Sequence, residues 1–265
     1  MKLSGKCVVV TGAAGGIGGA LAHRFAAEGA RAVVVADREP NGIETVARAI
    51  AGTGGNALAI TCDVTKESQL QDLVDTTESR FGPIDLFCSN AGVISLGGPE
   101  APDQEWQLSL DVNVMAHVYA ARILVPKMIE RGGGYLLQTA SAAGLLTQLG
   151  SAPYSVTKHA ALALAEWLAI TYGELGLKVS VLAPQAVRTA MTAGVVDGGV
   201  AGVDGMLEPD AVADAVVAGL DAESFLILPH PQVLEYFQRK ASDYERWLRG
   251  MRRLQAQFGG AGEPT

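Results

Sequence analysis

Tyr154 and Lys158 stand four residues apart in Tyr154-Ser155-Val156-Thr157-Lys158, inside a segment of helical periodicity. Their side chains therefore share one helix face. A free phenol ionises near pH ~10, too high for a base at neutral pH. An ammonium beside it stabilises the phenolate and lowers that value. Ser141 lies thirteen residues before Tyr154, just past a run of strand character that ends at Thr139. In an open α/β protein that position is the carboxyl edge of the sheet, where ligands bind. A hydroxyl, a phenol and an ammonium so placed can hold an oxygen atom and move its proton.

A second group sits near the start of the chain. Thr11-Gly12-Ala13-Ala14-Gly15-Gly16-Ile17-Gly18 links a strand, Cys7–Val10, to a helix, Gly16–Glu28. Gly12 permits a tight turn, Gly16 lets a pyrophosphate approach the backbone, and Gly18 lets the helix pack closely on the sheet. The helix N-terminus offers free N–H groups and its positive dipole end. Gly12, Ala14, Gly15, Gly16, Ile17 and Gly18 are the candidate cofactor contacts of this loop. Its spacing, Gly-x-x-x-Gly-x-Gly, is not the Gly-x-Gly-x-x-Gly of the commoner dinucleotide fold, and a glycine-rich loop alone also reads as a plain turn. Asp37 adds weight. It ends the second strand nineteen residues after Gly18, where a carboxylate accepts from ribose hydroxyls and repels a 2′-phosphate, favouring NAD over NADP. Arg38 pulls the other way, because an arginine there can hold such a phosphate. Asp37 also reads as an ordinary strand-end carboxylate.

These residues need a scaffold, and hydrophobic periodicity supplies one. Short apolar runs alternate with amphipathic segments. Strands are expected at Cys7–Val10, Ala32–Ala36, Ala57–Thr61, Ile84–Ser89, Tyr135–Thr139, Lys178–Leu182 and Phe225–Leu228. Helices are expected between them, including one long helix over about Asp103–Ile129 and another at Tyr154–Tyr172. Ala-Val-Val-Val-Ala at Ala32–Ala36 is continuously apolar, as in a strand covered on both faces. Seven strands in such alternation predict an α/β fold, a doubly wound parallel sheet in a single domain. Residues 1–230 form the catalytic, dinucleotide-binding part; 231–265 form a C-terminal helix and tail packed on the same domain, the glycine-rich end frayed.

Composition narrows the function classes. A net charge of −8 argues against nucleic acid as a partner. No uninterrupted apolar run reaches the ~18 residues of a membrane span, and the N-terminus lacks the pattern of a signal peptide. Cys7, Cys62 and Cys88 are far apart in apolar runs and read as buried reduced thiols of a cytoplasmic protein. No Cys/His cluster has metal-ligand spacing, so no metal is expected.

Taken in order, these motifs resemble the short-chain dehydrogenase/reductase family in its compact, NAD-preferring form, over Lys6 to about Thr189. The match includes Thr11–Gly18, Asp63-Val64 after the third strand, Asn90-Ala91-Gly92 after the fourth, Asn113 in the long helix, then Ser141, Tyr154 and Lys158. The resemblance implies a Rossmann-like sheet and a set of roles. Tyr154 would be the general acid/base. Lys158 would lower its pKa and bond the nicotinamide ribose, Ser141 would hold the substrate oxygen, and Asn113 would anchor a water leading to Lys158. Asp63 and Val64 would contact adenine, and Asn90, Ala91 and Gly92 would line the cofactor cleft. The family's Pro-Gly after the sixth strand is Pro184-Gln185 here. Pro184, Val187 and Thr189 fit the cofactor pattern, while Gln185 either touches substrate or points away.

The substrate side is read from fewer signals. Val93, Ile94, Leu96, Leu145 and Leu146 are candidate walls, apolar and without a charge to pair with an acidic substrate, so a moderately hydrophobic alcohol or ketone is expected. Ala190–Gly205, rich in Gly, Ala and Val, is either a lid or a plain surface loop. Gln232–Gln257 carries an apolar stripe (Leu234, Phe237, Ala241, Tyr244, Leu248, Met251) that either covers the substrate or packs on the core or a second subunit. Its basic residues, Lys240 among them, are expected to be solvated or paired with acids. The helix Tyr154–Tyr172 is apolar nearly all round, which with the resemblance implies a homodimer or homotetramer. The leading reading is an NAD-dependent alcohol dehydrogenase or ketone reductase. An NADP-dependent reductase is disfavoured by Asp37 and by the lack of a basic residue at Gly15. A non-catalytic dinucleotide-binding protein is disfavoured by the intact Asn113, Ser141, Tyr154 and Lys158 set.

Overall fold

The computed structural model describes residues Met1–Phe258, the side chain of Val196 aside. The expected fraying of the glycine-rich tail lies outside the described residues. Seven parallel strands form one sheet in the order β3-β2-β1-β4-β5-β6-β7. They are β1 (Cys7–Thr11), β2 (Ala32–Asp37), β3 (Ala57–Thr61), β4 (Leu86–Ser89), β5 (Gly134–Thr139), β6 (Leu177–Leu182) and β7 (Leu226–Ile227). The order reverses between β1 and β4, which opens a crevice at the carboxyl edge of the sheet. The doubly wound α/β fold expected from the alternation is present.

The continuous apolar runs are explained by burial on both faces. Val8, Val10, Val33 and Val35 pack with Phe25, Ile43 and Val216 on one side of the sheet. Those partners come from α1 (Gly16–Ala27), α2 (Pro40–Gly52) and α8 (Pro209–Asp221). Val9 and Val34, one residue out of phase, pack with Leu73, Leu124 and Ala165 on the other. These come from α3 (Glu67–Phe81), α5 (Ala116–Glu130) and α7 (Ala152–Tyr172). A period of two sends alternate side chains to opposite layers, and each fully buried Val or Leu is worth roughly 1.5–3 kcal/mol.

Two expected helices are not regular. The long helix is α4 (Asp103–Leu110), a π turn at Asp111–Met115, then α5. A π turn inserts one residue into the helical repeat, a feature that collects at functional sites; Val112 and Asn113 are its buried members. Asp103–Glu130 as a whole is long and apolar enough to cross a membrane by length and composition, which counting uninterrupted apolar runs did not register; half of its most apolar stretch is buried inside the protein. The last helix is two, α9 (Gln232–Ser242) and α10 (Tyr244–Phe258), broken where Asp243 is extended (φ −154°, ψ 90°). Val233 of α9 is fully buried and joins Ala142, Leu145 and Ala183 in a small core of its own. Leu145 belongs to that core rather than to a substrate wall. It sits in the short α6 (Ala142–Leu145), whose far side faces the cleft.

Candidate active site

One cleft of about 1440 Å³ runs across the carboxyl edge of the sheet. A single small-ligand pocket holds ~300–1,000 Å³, so this one has room for two. The cofactor and substrate candidates named from the sequence line it, with Asn113 and Leu145 as the exceptions.

At the dinucleotide end the glycines are required by close approach. A Cβ on Gly18 would sit 2.2 Å from the Gly12 carbonyl oxygen, and one on Gly12, whose φ is +66°, would sit 2.7 Å from Ala91 Cα. Gly15 is different: a Cβ there would meet nothing within 4 Å. The open space over Gly15, at the N-terminus of α1, suits a phosphate that must approach backbone N–H groups. Asp37 accepts from Ala14 N–H and, through its other oxygen, from Glu39 N–H, both at 3.2 Å. The carboxylate is thus fixed beside the loop, with Arg38 exposed next to it. Asp63 turns its own loop by accepting from the Thr65 amide and hydroxyl at 3.0 and 2.8 Å, and Val64 is a buried wall residue.

The middle of the cleft is held by Asn90. Its amide donates to the Thr11 carbonyl at 3.1 Å, and its side-chain oxygen accepts from the Thr139 hydroxyl at 3.0 Å. The ends of β1, β4 and β5 are thereby tied together, with Ala91 and Gly92 on the wall. Thr11 and Thr139 have positioning parts that the sequence did not single out. Thr11 was legible as the first residue of the glycine motif; Thr139 had no signal beyond ending a strand.

Ser151 caps α7 by accepting from Tyr154 N–H at 3.3 Å, and a proline follows in the first turn. A cap and an early proline are sequence signals of a helix start, and they place it two residues before the Tyr154 expected. One turn on, Lys158 is buried and donates to the Thr139 carbonyl at 2.9 Å, its ammonium 5.6 Å from the centre of the Tyr154 ring. Burial pushes the Lys158 ammonium down to about 8. Burial also pushes the Tyr154 phenol up, with a hydrogen bond from Ser141 working against it. The expected lowering by Lys158 is thus not the balance in the protein alone: the ammonium is spent on a carbonyl and is itself destabilised by burial. Ser141 has its own anchors, donating to the Pro184 carbonyl at 3.4 Å and accepting from Ala143 N–H at 3.1 Å.

Asn113 lies behind the wall, fully buried. Its side chain accepts from Val93 N–H and donates to the Val93 carbonyl, each at 2.9 Å, and donates to the Thr157 hydroxyl at 3.1 Å. All of its amide is used on these partners. It reaches the cleft through Val93, and Gly92 packs between it and the lysine: a Cβ on Gly92 would be 3.4 Å from both Asn113 Oδ1 and Lys158 Nζ.

On the far side Pro184, Gln185, Val187 and Thr189 line the cleft. Gln185 N–H donates to His230 Nδ1 at 3.2 Å, while its side-chain oxygen is buried without a partner among the described residues. A free acceptor on the wall is a group that a ligand donor could satisfy. The segment after Thr189 lines the cleft and returns through a bridge between Val187 and Leu207. Asp204 accepts from the Tyr236 hydroxyl at 2.9 Å, which fastens this loop to α9. The inner face of α10 also borders the cleft, through Trp247, Met251 and Leu254 among others. Lys240, expected on the solvated side, is instead 6% exposed. Its ammonium donates to the Leu145 and Leu146 carbonyls at 2.8 and 3.0 Å and lies 4.9 Å from the Trp247 ring centre. The open C-terminal carbonyls of α6 explain why a lysine is drawn inward.

Comparison with known proteins agrees with this geometry. A family model described as short chain dehydrogenase matches residues 6–198. A 1-deoxy-11-beta-hydroxypentalenate dehydrogenase of Streptomyces avermitilis is 39% identical over 86% of this chain and 85% of its own. A 7alpha-hydroxysteroid dehydrogenase of Escherichia coli is 34% identical over 71% of this chain and 74% of its own. A short chain dehydrogenase/reductase from Burkholderia phymatum, solved in complex with NAD, superposes with a TM-score of 0.83 at 27% identity, covering 92% of this chain and 96% of that one.

Proposed function

The chain belongs to the short-chain dehydrogenase/reductase family, and on that premise we propose that it moves a hydride between NAD(H) and a secondary alcohol or ketone on an apolar body. The observation that carries the reading is one cleft with two chemistries. Ser141, Tyr154 and Lys158 converge on one stretch of wall, and the glycine loop with Asp37 forms another.

The bound nicotinamide supplies the hydride acceptor or donor. The chain's own residues do the rest. The Ser141 hydroxyl, fixed by Pro184 and Ala143, holds the substrate oxygen. The Tyr154 phenol takes its proton during oxidation and returns it during reduction. Lys158, tied to Thr139, sets the charge beside the phenol and bonds the ribose. Asn113 acts through Val93 and Thr157 as a positioning residue. Asp37 favours NAD by meeting the ribose hydroxyls and repelling a 2′-phosphate. The chain spans most of both relatives, and each relative's name gives it a hydroxylated substrate; exposed Leu96, Leu108 and Met191 on the cleft wall support an apolar one here. The loop after Thr189, α9 and α10 form the cover, and residues 231–265 are read as an extension of one catalytic domain.

Assembly and location are part of the same reading. Trp167 is 54% exposed and Ile170 83% exposed on the outer face of α7, and pairing of this helix with a second copy supports a homodimer or homotetramer. Three free, buried cysteines fit a reducing compartment and a cytoplasmic location. The test of function is a screen of secondary alcohols and ketones with NAD and NADP in parallel. Turnover of apolar members with NAD is expected; no hydride transfer to or from either cofactor across the set would overturn the reading.

A further inference from the structure

The last two helices are a basic element on an acidic protein. Residues 232–258 carry six basic residues against three acidic ones, in a chain of net charge −8. Helical spacing sorts those of α10. Trp247, Met251, Leu254 and Phe258 follow at steps of four, three and four, and form an apolar strip. Arg246, Gly250 and Arg253 form the strip beside it, at steps of four and three. Both strips border the cleft. Gly250 leaves the helix surface open between them, since a Cβ there would meet only Arg253 Nη2, at 3.9 Å. The two arginines are two turns apart, about 10 Å along the helix.

Most arginines elsewhere that face a neighbouring element are paired. Arg24, Arg122 and Arg131 each hold a carboxylate, and Arg239, also on the cleft wall, holds Glu235. Among the described residues no carboxylate lies within 4 Å of the Arg246 or Arg253 side chain; Asp243, the nearest acid in sequence on this wall, is used on the Arg246 backbone N–H at 2.9 Å. Apolar side chains elsewhere on the cleft wall are exposed. Leu96 is 73% exposed, and Leu108, Met191, Val195 and Val203 are also exposed along the cleft. The cleft lining thus combines exposed apolar side chains with two exposed cations that have no acidic partner among the described residues.

We propose that α10 is a substrate-recognition element, and that the substrate's apolar body carries a carboxylate, remote from the reacting carbon, which Arg246 and Arg253 hold. The proposal rests on the reading of this cleft as a dehydrogenase site and names its substrate class: hydroxy acids and keto acids with a hydrophobic frame. The wall residues legible in the sequence carry no charge; the charge comes from a helix that folds back over them. A guanidinium binds a carboxylate through two parallel N–H bonds. Both arginines are exposed, so the pair is sensitive to salt.

The test compares acids with their methyl esters on the NADH-loaded protein, by calorimetric titration. The probes are decahydronaphthalene-2-carboxylate and the larger cholate. At least one acid is expected to bind tenfold or more tighter than its ester, about 1.4 kcal/mol, with the ratio shrinking as salt is raised. In the Arg246→Gln/Arg253→Gln double variant the ratio is expected to fall within twofold, with NADH affinity and thermal midpoint as controls for folding. Esters binding as tightly as both acids, no binding of any probe, or a preference that survives the double substitution or is indifferent to salt would overturn the proposal. A protein that prefers the acids but transfers no hydride with any alcohol would retain this proposal and lose the dehydrogenase reading.

Discussion

Lys158 Nζ donates to the backbone carbonyl of Thr139 at 2.9 Å, joining the middle of the candidate catalytic helix to the end of the central strand β5. The bond crosses from one layer of the fold to another and fixes the ammonium between the Tyr154 ring and Gly92. An ammonium held this way is buried, so its charge is a local resource that solvent does not screen.

The first prediction concerns that charge. Burial raises the Tyr154 phenol and lowers Lys158 to about 8, and the ammonium, 5.6 Å from the ring centre, favours the phenolate while it is charged. With the Tyr154 phenolate as the proposed base for oxidation, kcat/KM for oxidation is expected to rise with pH. Lys158→Met removes the cation that favours the phenolate. Its profile should move to higher pH and its activity at neutral pH should fall by ~100-fold or more. An unmoved profile in the variant would show that the lysine does not tune the phenol.

Cofactor choice is expected to follow Asp37. NAD should bind at least tenfold tighter than NADP, about 1.4 kcal/mol, measured by fluorescence titration. Asp37→Ser should narrow the gap mainly by improving NADP, because a serine can still accept from Ala14 N–H, as the carboxylate does at 3.2 Å. Equal affinities in the unaltered protein would contradict the assignment.

Lys240 should matter to the cover more than to the cofactor. Lys240→Met leaves the Leu145 and Leu146 carbonyls without their donor, at a cost of ~1–3 kcal/mol for buried groups, and loosens α9 and α10. KM for bulky alcohols is expected to rise while NADH affinity changes less than twofold. Unchanged KM in a variant that is measurably less stable would assign these helices a structural part only.

His117 gives the protein an acid limit. It is 1% exposed, both ring nitrogens lack partners among the described residues, and burial holds its pKa at about 3. The folded state thus keeps it neutral, while the unfolded state takes up a proton near pH ~6.5. The associated stability is fully present above that unfolded value and is lost as pH falls toward 3. From this group the loss is about 2 kcal/mol by pH 5. In urea titrations from pH 5 to 7, His117→Gln should flatten the slope; an unaltered slope would place the acid sensitivity elsewhere.

Much of this arrangement was legible in the residues. The apolar runs at Cys7–Val10 and Ala32–Ala36 specify strands covered on both faces, and the glycine loop between a strand and a helix specifies its own position at the sheet edge. Tyr154 and Lys158 declare their shared face by spacing alone. What stayed hidden depends on tertiary contact or on one-residue irregularities. The π turn that buries Asn113 has no hydrophobic signature, because one inserted residue barely alters the pattern around it. The break at Asp243 was masked by an apolar stripe that continues in register on both sides. Lys240 reads as solvated until the open carbonyls of α6 are seen beside it, and Arg246 and Arg253 read only as surface charge until α10 is seen to border the cleft. The upward shift of Tyr154 was missed because spacing shows the ammonium's position but not its burial or its bond to Thr139.

The most direct test of the account is the Tyr154→Phe variant, which removes one hydroxyl and leaves the ring. Steady-state turnover on the best alcohol found, alongside NADH binding by fluorescence, separates proton transfer from cofactor binding. The account predicts turnover reduced ~100-fold or more with NADH affinity within twofold of the unaltered protein. Turnover above one tenth of the original would contradict it and place the acid/base group on another residue of the cleft.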